Sequence, residues 1–289
     1  MTPGAVPSVE NSAAPRLMGV VNMTPDSFSD GGNYNNLESA LIHCRQLVSA
    51  GAEILDIGGE STRPGAERIG FAQEIERVIP LIQALKKADW FADSQVEISC
   101  DTMNAQTASA AVVAGADYVN DVSGGKADPA MFSAVAQSKA KFILSHWRGF
   151  SDQMDQLNQY DDLVGEVTAE ISHQVDAAVE AGIERSRIII DPGLGFAKIA
   201  DQNWQLLAGL DRLKALGLPI LIGASRKRFL AATLDPEHPN SVSIERRDLA
   251  TAVLSAKLAN AGIWGLRVHN VAASRDAIAL ATALQVAGN

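Results

Sequence analysis

The chain of 289 residues carries 34 acidic and 24 basic residues, a formal net charge of −10, and 47% of its residues are hydrophobic. Its negative charge argues against a partner bound through a nucleic-acid phosphate backbone, and its apolar content excludes a largely disordered chain. No run approaches the roughly 20 apolar residues that cross a bilayer, and residues 1–16 lack the basic start and apolar core of a secretory signal. We therefore expect a cytoplasmic globular protein without nucleic-acid or membrane partners, in which Cys44 and Cys100 are packed thiols.

After residues 1–16, which we expect to form a flexible tail, short apolar runs of strand length alternate with longer segments of helical periodicity. The first helix is predicted over residues 37–50 and the last over residues 273–286. Strands that are apolar on both faces and alternate with helices are typical of a parallel sheet covered by helices. The eight predicted strands are residues 17–24, 53–59, 96–102, 118–123, 141–147, 187–192, 219–225 and 265–270.

Four Ala-Gly dipeptides stand just before predicted strands, with their glycines at Gly51, Gly115, Gly182 and Gly262. Glycine is favoured just past a helix end, where it adopts the left-handed conformation, so these dipeptides mark helix exits. Eight such units favour an α/β fold of one domain, a (β/α)8 TIM barrel over residues 17–289. A doubly wound open sheet is the alternative, but its GxGxxG fingerprint is missing near the first strand.

Three longer segments interrupt the alternation, at residues 26–36, 61–70 and 235–245. The first two follow the first and second strands, and the loops that follow the strands of such barrels carry the active sites. We predict that these two segments are mobile loops over the C-terminal mouth of the barrel and that the third is a surface excursion.

Most of the predicted strands end in polar or charged residues, which a buried strand does not need for packing. A buried carboxylate is costly unless it is paired, so a ring of such residues at one end of a barrel indicates a polar ligand. The residues of this ring are Asn22, Asp56, Glu60, Asp101, Asn120, Asp121, His146, Arg148, Asp191, Ser225, Arg226, Lys227, Arg267 and His269.

The ring divides by chemistry into acceptors and cations. Acceptors and an amide suit a flat heterocycle with adjacent N–H donors, and they are supplied by Asp101, Asn120 and Asp191. Cations suit a phosphate, and they are supplied by Lys227, Arg267 and His269. Both a heterocycle and a phosphate are therefore implied.

Several members of the ring have a structural alternative. Asp56 lies between apolar neighbours and equally fits a cap on a barrel layer, and the N-cap of the following helix is a less favoured alternative for Asp101. Asp121 equally fits an ion pair with Arg267 or Lys227. The glycines of residues 191–196 fit either a tight turn or a close approach of a ligand to the backbone. No role is assigned to the histidines outside the ring, which are His43, His173 and His238.

The strand ends also carry seven short motifs that, taken in order, resemble those of the dihydropteroate synthases from about Leu17 to the end of the chain. Any one tripeptide is weak, but seven in order at predicted strand ends make the resemblance specific. The motifs are residues 22–32 (NMTPDSFSDGG), 56–65 (DIGGESTRPG), Asp101-Thr102, Asn120-Asp121, residues 191–196 (DPGLGF), 225–227 (SRK) and 267–269 (RVH).

The resemblance implies a role for each matched position. The pterin ring would be bound by Asp101, Asn120, Asp191 and Lys227. The pyrophosphate would be bound by Asn22, Arg267 and His269, with a Mg²⁺ ion bridging it to Asn22. The p-aminobenzoate would be bound by Phe28, Thr62, Arg63, Pro64 and Arg228, on or beside two loops that include Ser29. The groups expected to be catalytic are Asp101, Lys227 and Arg63.

The resemblance also implies a reaction. Such a transferase of folate biosynthesis joins 6-hydroxymethyl-7,8-dihydropterin pyrophosphate to p-aminobenzoate, as a cytoplasmic homodimer that sulfonamides target. Asp101 would stabilise the cation left on the pterin, while Mg²⁺, Arg267 and His269 would stabilise the departing pyrophosphate. The arylamine is neutral at pH 7, so a strong general base is not required.

Two positions depart from the pattern of many members. Ser145-His-Trp-Arg148 replaces Met-His-Met-Gln and resembles actinobacterial members, and Arg228 replaces a Ser near the p-aminobenzoate carboxylate. A pterin-dependent methyltransferase is one alternative, but it has no pyrophosphate for Arg267 and His269 to bind. A catalytically silent pterin-binding paralogue is the other, although no expected site residue is missing.

Overall fold

The computed structural model describes residues 14–24, 32–60, 68–150 and 156–288. In these ranges the chain forms eight strands, close to the eight predicted segments. Their bounds are β1 Arg16–Asn22, β2 Ile54–Gly58, β3 Glu97–Asp101, β4 Tyr118–Asp121, β5 Lys141–Ser145, β6 Ile188–Asp191, β7 Leu221–Ile222 and β8 Gly265–Val268.

The eight strands form one parallel sheet in the order β6-β5-β4-β3-β2-β1-β8-β7. Its two edges meet, because a parallel bridge joins Ile190 of β6 to Ile220, the residue before β7. The Ile190 amide donates to the Pro219 carbonyl at 2.9 Å across the same junction. A sheet whose edges meet is a barrel, so the predicted (β/α)8 fold is confirmed and the open doubly wound sheet is excluded.

Helices surround this barrel. Their bounds are α1 Gly32–Ser49, α2 Phe71–Lys87, α3 Asp89–Ala92, α4 Ala105–Ala114, α5 Met131–Ala136, α6 Leu163–Glu180, α7 Ala200–Ala208, α8 Leu210–Lys214, α9 Arg228–Leu234, α10 Ile244–Leu258 and α11 Val271–Gly288. Within the described ranges, none of them is long and apolar enough to span a membrane.

The predicted helix exits are confirmed, since the glycines of all four Ala-Gly dipeptides have φ values between 68° and 112°. The predicted loop over residues 26–36 is shorter than expected, because α1 already begins at Gly32. The excursion over residues 235–245 includes a 3-10 helix at Pro239–Ser241 and ends where Ser243 caps α10 by accepting from the Arg246 amide. β1 begins at Arg16, the last residue assigned to the N-terminal tail.

The barrel interior is filled in layers. The central layer is apolar and consists of Met18, Ile54, Tyr118, Ile143, Ile189 and Leu221. At the N-terminal end it is closed by a polar network, in which Arg16 lies 2.6 Å from Glu97 and Lys141 donates to the Tyr118 hydroxyl at 2.9 Å. Side chains alternate between the two faces of a strand, so residues two positions beyond the central layer also face the interior, at the C-terminal end. These positions include Asp56 and two of the predicted acceptors, Asn120 and Asp191, which therefore line one chamber at that end of the barrel.

Candidate active site

Arg267 lies at the centre of the chamber. Its Nε is 2.6 Å from Asp56 Oδ2, and its Nη2 is 2.7 Å from Asp101 Oδ2. Asp56 Oδ2 also accepts from Asn120 Nδ2 at 3.1 Å. The contacts thus join strands β2, β3, β4 and β8, and they place Arg267, one of the cations predicted for the phosphate, beside an acceptor predicted for the heterocycle.

Asp56 is fully buried, and its Oδ1 has no hydrogen-bond partner among the described residues. Neighbouring β3 carries a second such atom, because Ser99 Oγ is also buried and unpartnered there, and Ser99 pairs in register with Asp56. A buried carboxylate requires a compensating charge, which Arg267 supplies. Asp56 therefore belongs to the polar network of the chamber. The sequence alone had not decided between a ligand-binding role and a structural role for this residue.

Asp101 does not cap the following helix. Asn104 is the N-cap residue of α4, and the amide of Ala105 donates to Asp128 Oδ2 at 2.8 Å. Burial raises the pKa of Asp101 to about 7, and nearby Asp56 adds to this, although the Arg267 guanidinium acts in the opposite direction. The carboxyl of Asp101 is left facing the chamber, with Arg267 as its partner.

Asp121, by contrast, belongs to the turn after β4. Its Oδ1 accepts from the amide of Ser123 at 2.7 Å, and its Oδ2 accepts from the amide of Gly125 at 2.8 Å. Burial raises its pKa to about 6. The suggested ion pair of Asp121 with Arg267 or Lys227 is therefore wrong, because both of its oxygens are engaged by the backbone of its own loop.

The turn after β6 joins two predicted pterin ligands. Asp191 Oδ1 accepts from the Gly193 amide at 2.7 Å, and Lys227 Nζ donates to the Leu194 carbonyl. Lys227 Nζ also lies 4.6 Å from the centre of the Phe196 ring. Burial lowers the pKa of Lys227 to about 8, while Asp191 opposes that change. Gly193 has a φ of 68°, and a Cβ there would collide with the His146 carbonyl oxygen, so glycine is required in this turn.

The two predicted phosphate-binding segments meet through side chains. Ser225 Oγ lies 2.9 Å from His269 Nδ1, and the His269 amide donates to Ser225 Oγ at 3.1 Å. Between Ser225 and Lys227, Arg226 has a φ of 61° and forms a bidentate pair with Asp248 of α10, at 2.6 and 2.7 Å. Arg226, with its left-handed backbone, therefore points outward to α10, and its neighbours Ser225 and Lys227 point toward the chamber.

Sequence reasoning missed a buried network beneath the turn. Lys198 Nζ lies 2.9 Å from His146 Nδ1, and His146 Nε2 lies 3.0 Å from Glu170 Oε2. Burial lowers the pKa of Lys198 to about 7, with Lys227 as the next cause, and burial lowers that of His146 to about 4. Burial opposes ionisation of Glu170, but hydrogen bonds from His146 and Arg148 outweigh it and bring its pKa to about 2. The sequence signal for this network was Lys198, a lysine two residues after the 191–196 motif.

The remaining predictions fall at the mouth of the barrel. Arg228 is exposed at the first position of α9, and Asn22 is half-buried at the end of β1, in register with Gly58. The other residues predicted for p-aminobenzoate and its loops lie outside the described residues, and they are Phe28, Ser29, Thr62, Arg63 and Pro64. No cluster of three or more His, Cys, Asp or Glu side chains within the described ranges could hold a metal ion without other ligands.

Comparison with known proteins bears on this arrangement. Residues 18–269 match the family described as pterin binding enzyme. The dihydropteroate synthase of Mycobacterium leprae is 46% identical over 96% of both chains, and that of Synechocystis is 44% identical over 93% of this chain and 89% of its own. The Xanthomonas albilineans dihydropteroate synthase with 4-aminobenzoic acid superposes with a TM-score of 0.84 at 41% identity, covering 94% of this chain and 93% of that one. The same enzyme with 7,8-dihydropteroate gives a TM-score of 0.81 at 38% identity, covering 94% of both chains.

Proposed function

The chain belongs to the pterin-binding enzymes, and among them to the dihydropteroate synthases, and from that membership we propose how its own residues carry out the reaction. The enzyme is a transferase of folate biosynthesis. It condenses 6-hydroxymethyl-7,8-dihydropterin pyrophosphate with p-aminobenzoate and releases 7,8-dihydropteroate and pyrophosphate.

The observation that carries the site assignment is the convergence of Asp101, Asn120 and Asp191 from three strands on one buried chamber. Each offers an oxygen to the N–H donors of a pterin, and the Asn120 amide can also donate. Glycines stand beside the two carboxylates. A Cβ on Gly58 would lie 3.4 Å from Asp101 Oδ2, and one on Gly223 would lie 3.4 Å from Asp191 Oδ2, so the missing side chains leave space for a flat ring.

The same carboxylates serve the chemical step. As the bond between the pterin methylene carbon and oxygen breaks, positive charge spreads into the ring, and the negative charges of Asp101 and Asp191 stabilise it. The electron pair of that bond leaves with pyrophosphate, which Arg267 and His269 bind. The neutral arylamine nitrogen then bonds to the methylene carbon and loses one proton. Lys227, held by the turn after β6, donates to the pterin.

A Mg²⁺ ion fits this site only when the substrate pyrophosphate is also bound. Mg²⁺ prefers octahedral oxygen ligands and commonly takes one or two protein groups, with substrate phosphates and water supplying the rest. Asn22 offers a neutral amide oxygen at the end of β1, and the described residues contain no cluster of three or more carboxylate, His or Cys ligands. We propose that Asn22 holds a Mg²⁺ that neutralises charge on the pyrophosphate.

The p-aminobenzoate site would lie at the mouth, where Arg228 is exposed at the start of α9. The segments carrying Phe28, Thr62, Arg63 and Pro64 would complete it, with Arg63 as a catalytic group. A sulfonamide drug binds the related Yersinia pestis synthase, which is 35% identical, and we propose that sulfonamides compete with p-aminobenzoate here. The acidic chain would act in the cytoplasm on small-molecule substrates.

We propose further that the enzyme is a homodimer through its outer helices. Leu249 and Val253 of α10 are 66% and 64% exposed, and Leu280 and Leu284 of α11 are 73% and 77% exposed. Each pair has i, i+4 spacing and therefore forms a stripe on its helix, and α10 and α11 pack against each other. Exposed apolar stripes of this kind suit a second copy of the chain.

Growth of a bacterium that lacks its own dihydropteroate synthase tests the function. Expression of this chain should remove the requirement for folate end products, and the Asp191→Asn variant should not. Failure of the wild-type chain, expressed and folded, would favour the catalytically silent pterin-binding paralogue. Sedimentation of the Leu249→Glu, Leu280→Glu double variant tests the dimer, because both charges would fall in the proposed interface and should give a monomer.

A further inference from the structure

The turn after β6 has an unusual backbone. Gly193 and Gly195 have φ values of 68° and 76°, and Ala197 has a φ of 49° although it carries a Cβ. A left-handed alanine is unfavourable and persists only where its surroundings fix it. This turn donates from the Gly193 amide to Asp191 and accepts from Lys227 at the Leu194 carbonyl, so its shape determines where those two side chains lie in the chamber.

Lys198 binds the backbone of this turn. The residue is only 9% exposed. The ammonium donates to the carbonyls of Gly193 and Phe196, both at 3.0 Å, and its third partner is His146 Nδ1 at 2.9 Å. An ammonium has three N–H donors and no acceptor, so these three contacts use every donor of Lys198.

Glu170 fixes the tautomer of His146. Its carboxylate, with a pKa of about 2, can only accept, so the proton of the neutral ring lies on Nε2 and Nδ1 accepts from Lys198. That Nε2 then donates to Glu170 Oε2 at 3.0 Å. Glu170 is held in turn by Arg148, whose Nε lies 3.1 Å from Oε1 and whose Nη2 lies 2.5 Å from it. Hydrogen bonds therefore link Glu170 of α6 through His146, just after β5, and Lys198 to the backbone of the turn.

We propose that Lys198, oriented by His146 and Glu170, is a positioning residue that holds the turn over residues 192–197 in the shape that presents Asp191 and Lys227 to the pterin. The inference rests on the proposed pterin site. Lys198 itself need not contact substrate, because both of the carbonyls it binds belong to the turn. Its effect is expected on pterin binding.

Calorimetric titration of the full chain with 6-hydroxymethylpterin monophosphate tests the proposal. Lys198→Met keeps the length of the side chain but removes its donors, and we expect the Kd to rise by about tenfold to a hundredfold. The matched control is Lys141→Met, which removes a lysine hydrogen-bonded to Tyr118 and Glu97 at the other end of the barrel. This control should lower the melting temperature without changing the pterin Kd.

A second pair of variants separates positioning from stability at one position. His146→Asn keeps an oxygen where Nδ1 accepts from Lys198, whereas His146→Leu removes that acceptor. We expect His146→Asn to bind the pterin probe at least fivefold more tightly than His146→Leu. This pair also decides the matter if Lys198→Met does not fold.

The outcomes distinguish the two proposals. If the wild-type chain does not bind the pterin probe, the proposed function fails and the positioning role fails with it. If the wild-type chain binds but Lys198→Met binds within twofold of it, or the two His146 variants bind equally, the positioning role is overturned and the proposed function stands.

Discussion

Arg267 Nε lies 2.6 Å from Asp56 Oδ2, so an ion pair connects β8 to β2 across the intervening strand β1. Asp56 is fully buried, whereas the Arg267 side chain is 21% exposed. Arg267 is therefore both the charge that makes a buried Asp56 tolerable and a group that can reach substrate. Mutations can separate its role in stability from its role in substrate binding.

Arg267→Met should lower the free energy of unfolding by about 3 kcal/mol, because it leaves the buried carboxyls of Asp56 and Asp101 without their cation. It should also abolish turnover. Adding Asp56→Asn removes one of these two orphaned carboxylates, so the double variant should recover part of the stability and none of the activity. Urea unfolding followed by fluorescence measures the first effect, and recovery of activity in the double variant would contradict the role of Arg267 at the pyrophosphate.

Pterin affinity should depend on pH through Asp101. Burial raises the pKa of this carboxyl from 3.8 to about 7, so the folded state holds its proton more tightly than the unfolded state. The contribution of Asp101 to stability is thus present below pH 3.8 and is lost as the pH rises through 7. Pterin N–H donors favour the ionised carboxylate. The pterin affinity should therefore rise by up to about tenfold per pH unit as the pH is raised toward 7.

The charged groups that act on Asp101 are Arg267, Asp56, Glu74 and Asp121. Calorimetry of the pterin monophosphate between pH 5.5 and 8.5 in buffers of different ionisation enthalpy measures both the affinity and the proton released. In Asp101→Asn the rise in affinity toward pH 7 should vanish and the affinity should be weak throughout. A rise of the same size in that variant would assign the pH dependence to another group.

Mg²⁺ binding should require pyrophosphate, because Asn22 alone offers one neutral oxygen. Titration of Mg²⁺ into the free protein should give no detectable heat, and titration in the presence of inorganic pyrophosphate should give a site. Asn22→Ala should raise the Mg²⁺ concentration needed for half-maximal activity by about tenfold, the cost of one lost ligand of about 1.4 kcal/mol. Tight Mg²⁺ binding to the free protein would contradict this account.

The Arg226 and Asp248 pair should support the phosphate site from outside. Asp248→Asn keeps one acceptor for the guanidinium but removes the charge, and we expect it to lower the free energy of unfolding by about 1 to 2 kcal/mol. The KM for the pterin pyrophosphate should rise more than the KM for p-aminobenzoate, since Ser225 and Lys227 flank Arg226. Steady-state kinetics with each substrate varied in turn provides the measurement, and equal changes in both KM values would argue for general destabilisation.

Much of the fold was predictable because its signals are local. Apolar runs identified the eight strands, and the Ala-Gly dipeptides identified helix exits that the structure shows in the left-handed conformation. Strand alternation also explains why Asp56, Asn120 and Asp191 share a chamber, since each lies two positions after a residue of the apolar layer.

Partners at long range were not predictable. Arg267 pairs with Asp56 across 211 residues of sequence, and the pattern of one strand does not specify which strand stands opposite. Asp121 shows the converse, because a strand-end carboxylate that fitted an ion pair instead binds amides two and four residues further along its own turn. Lys198 was missed because it acts on backbone carbonyls, whose positions depend on the left-handed turn that precedes it.

The most direct test is release of pyrophosphate from 6-hydroxymethyl-7,8-dihydropterin pyrophosphate by the purified wild-type protein with Mg²⁺, with and without p-aminobenzoate, beside the Asp101→Ala variant. We predict release that depends on p-aminobenzoate, equals the 7,8-dihydropteroate formed, and is lost in the variant. Binding of the pterin without release, or release that the variant retains, would contradict the assignment of the chamber as the synthase active site.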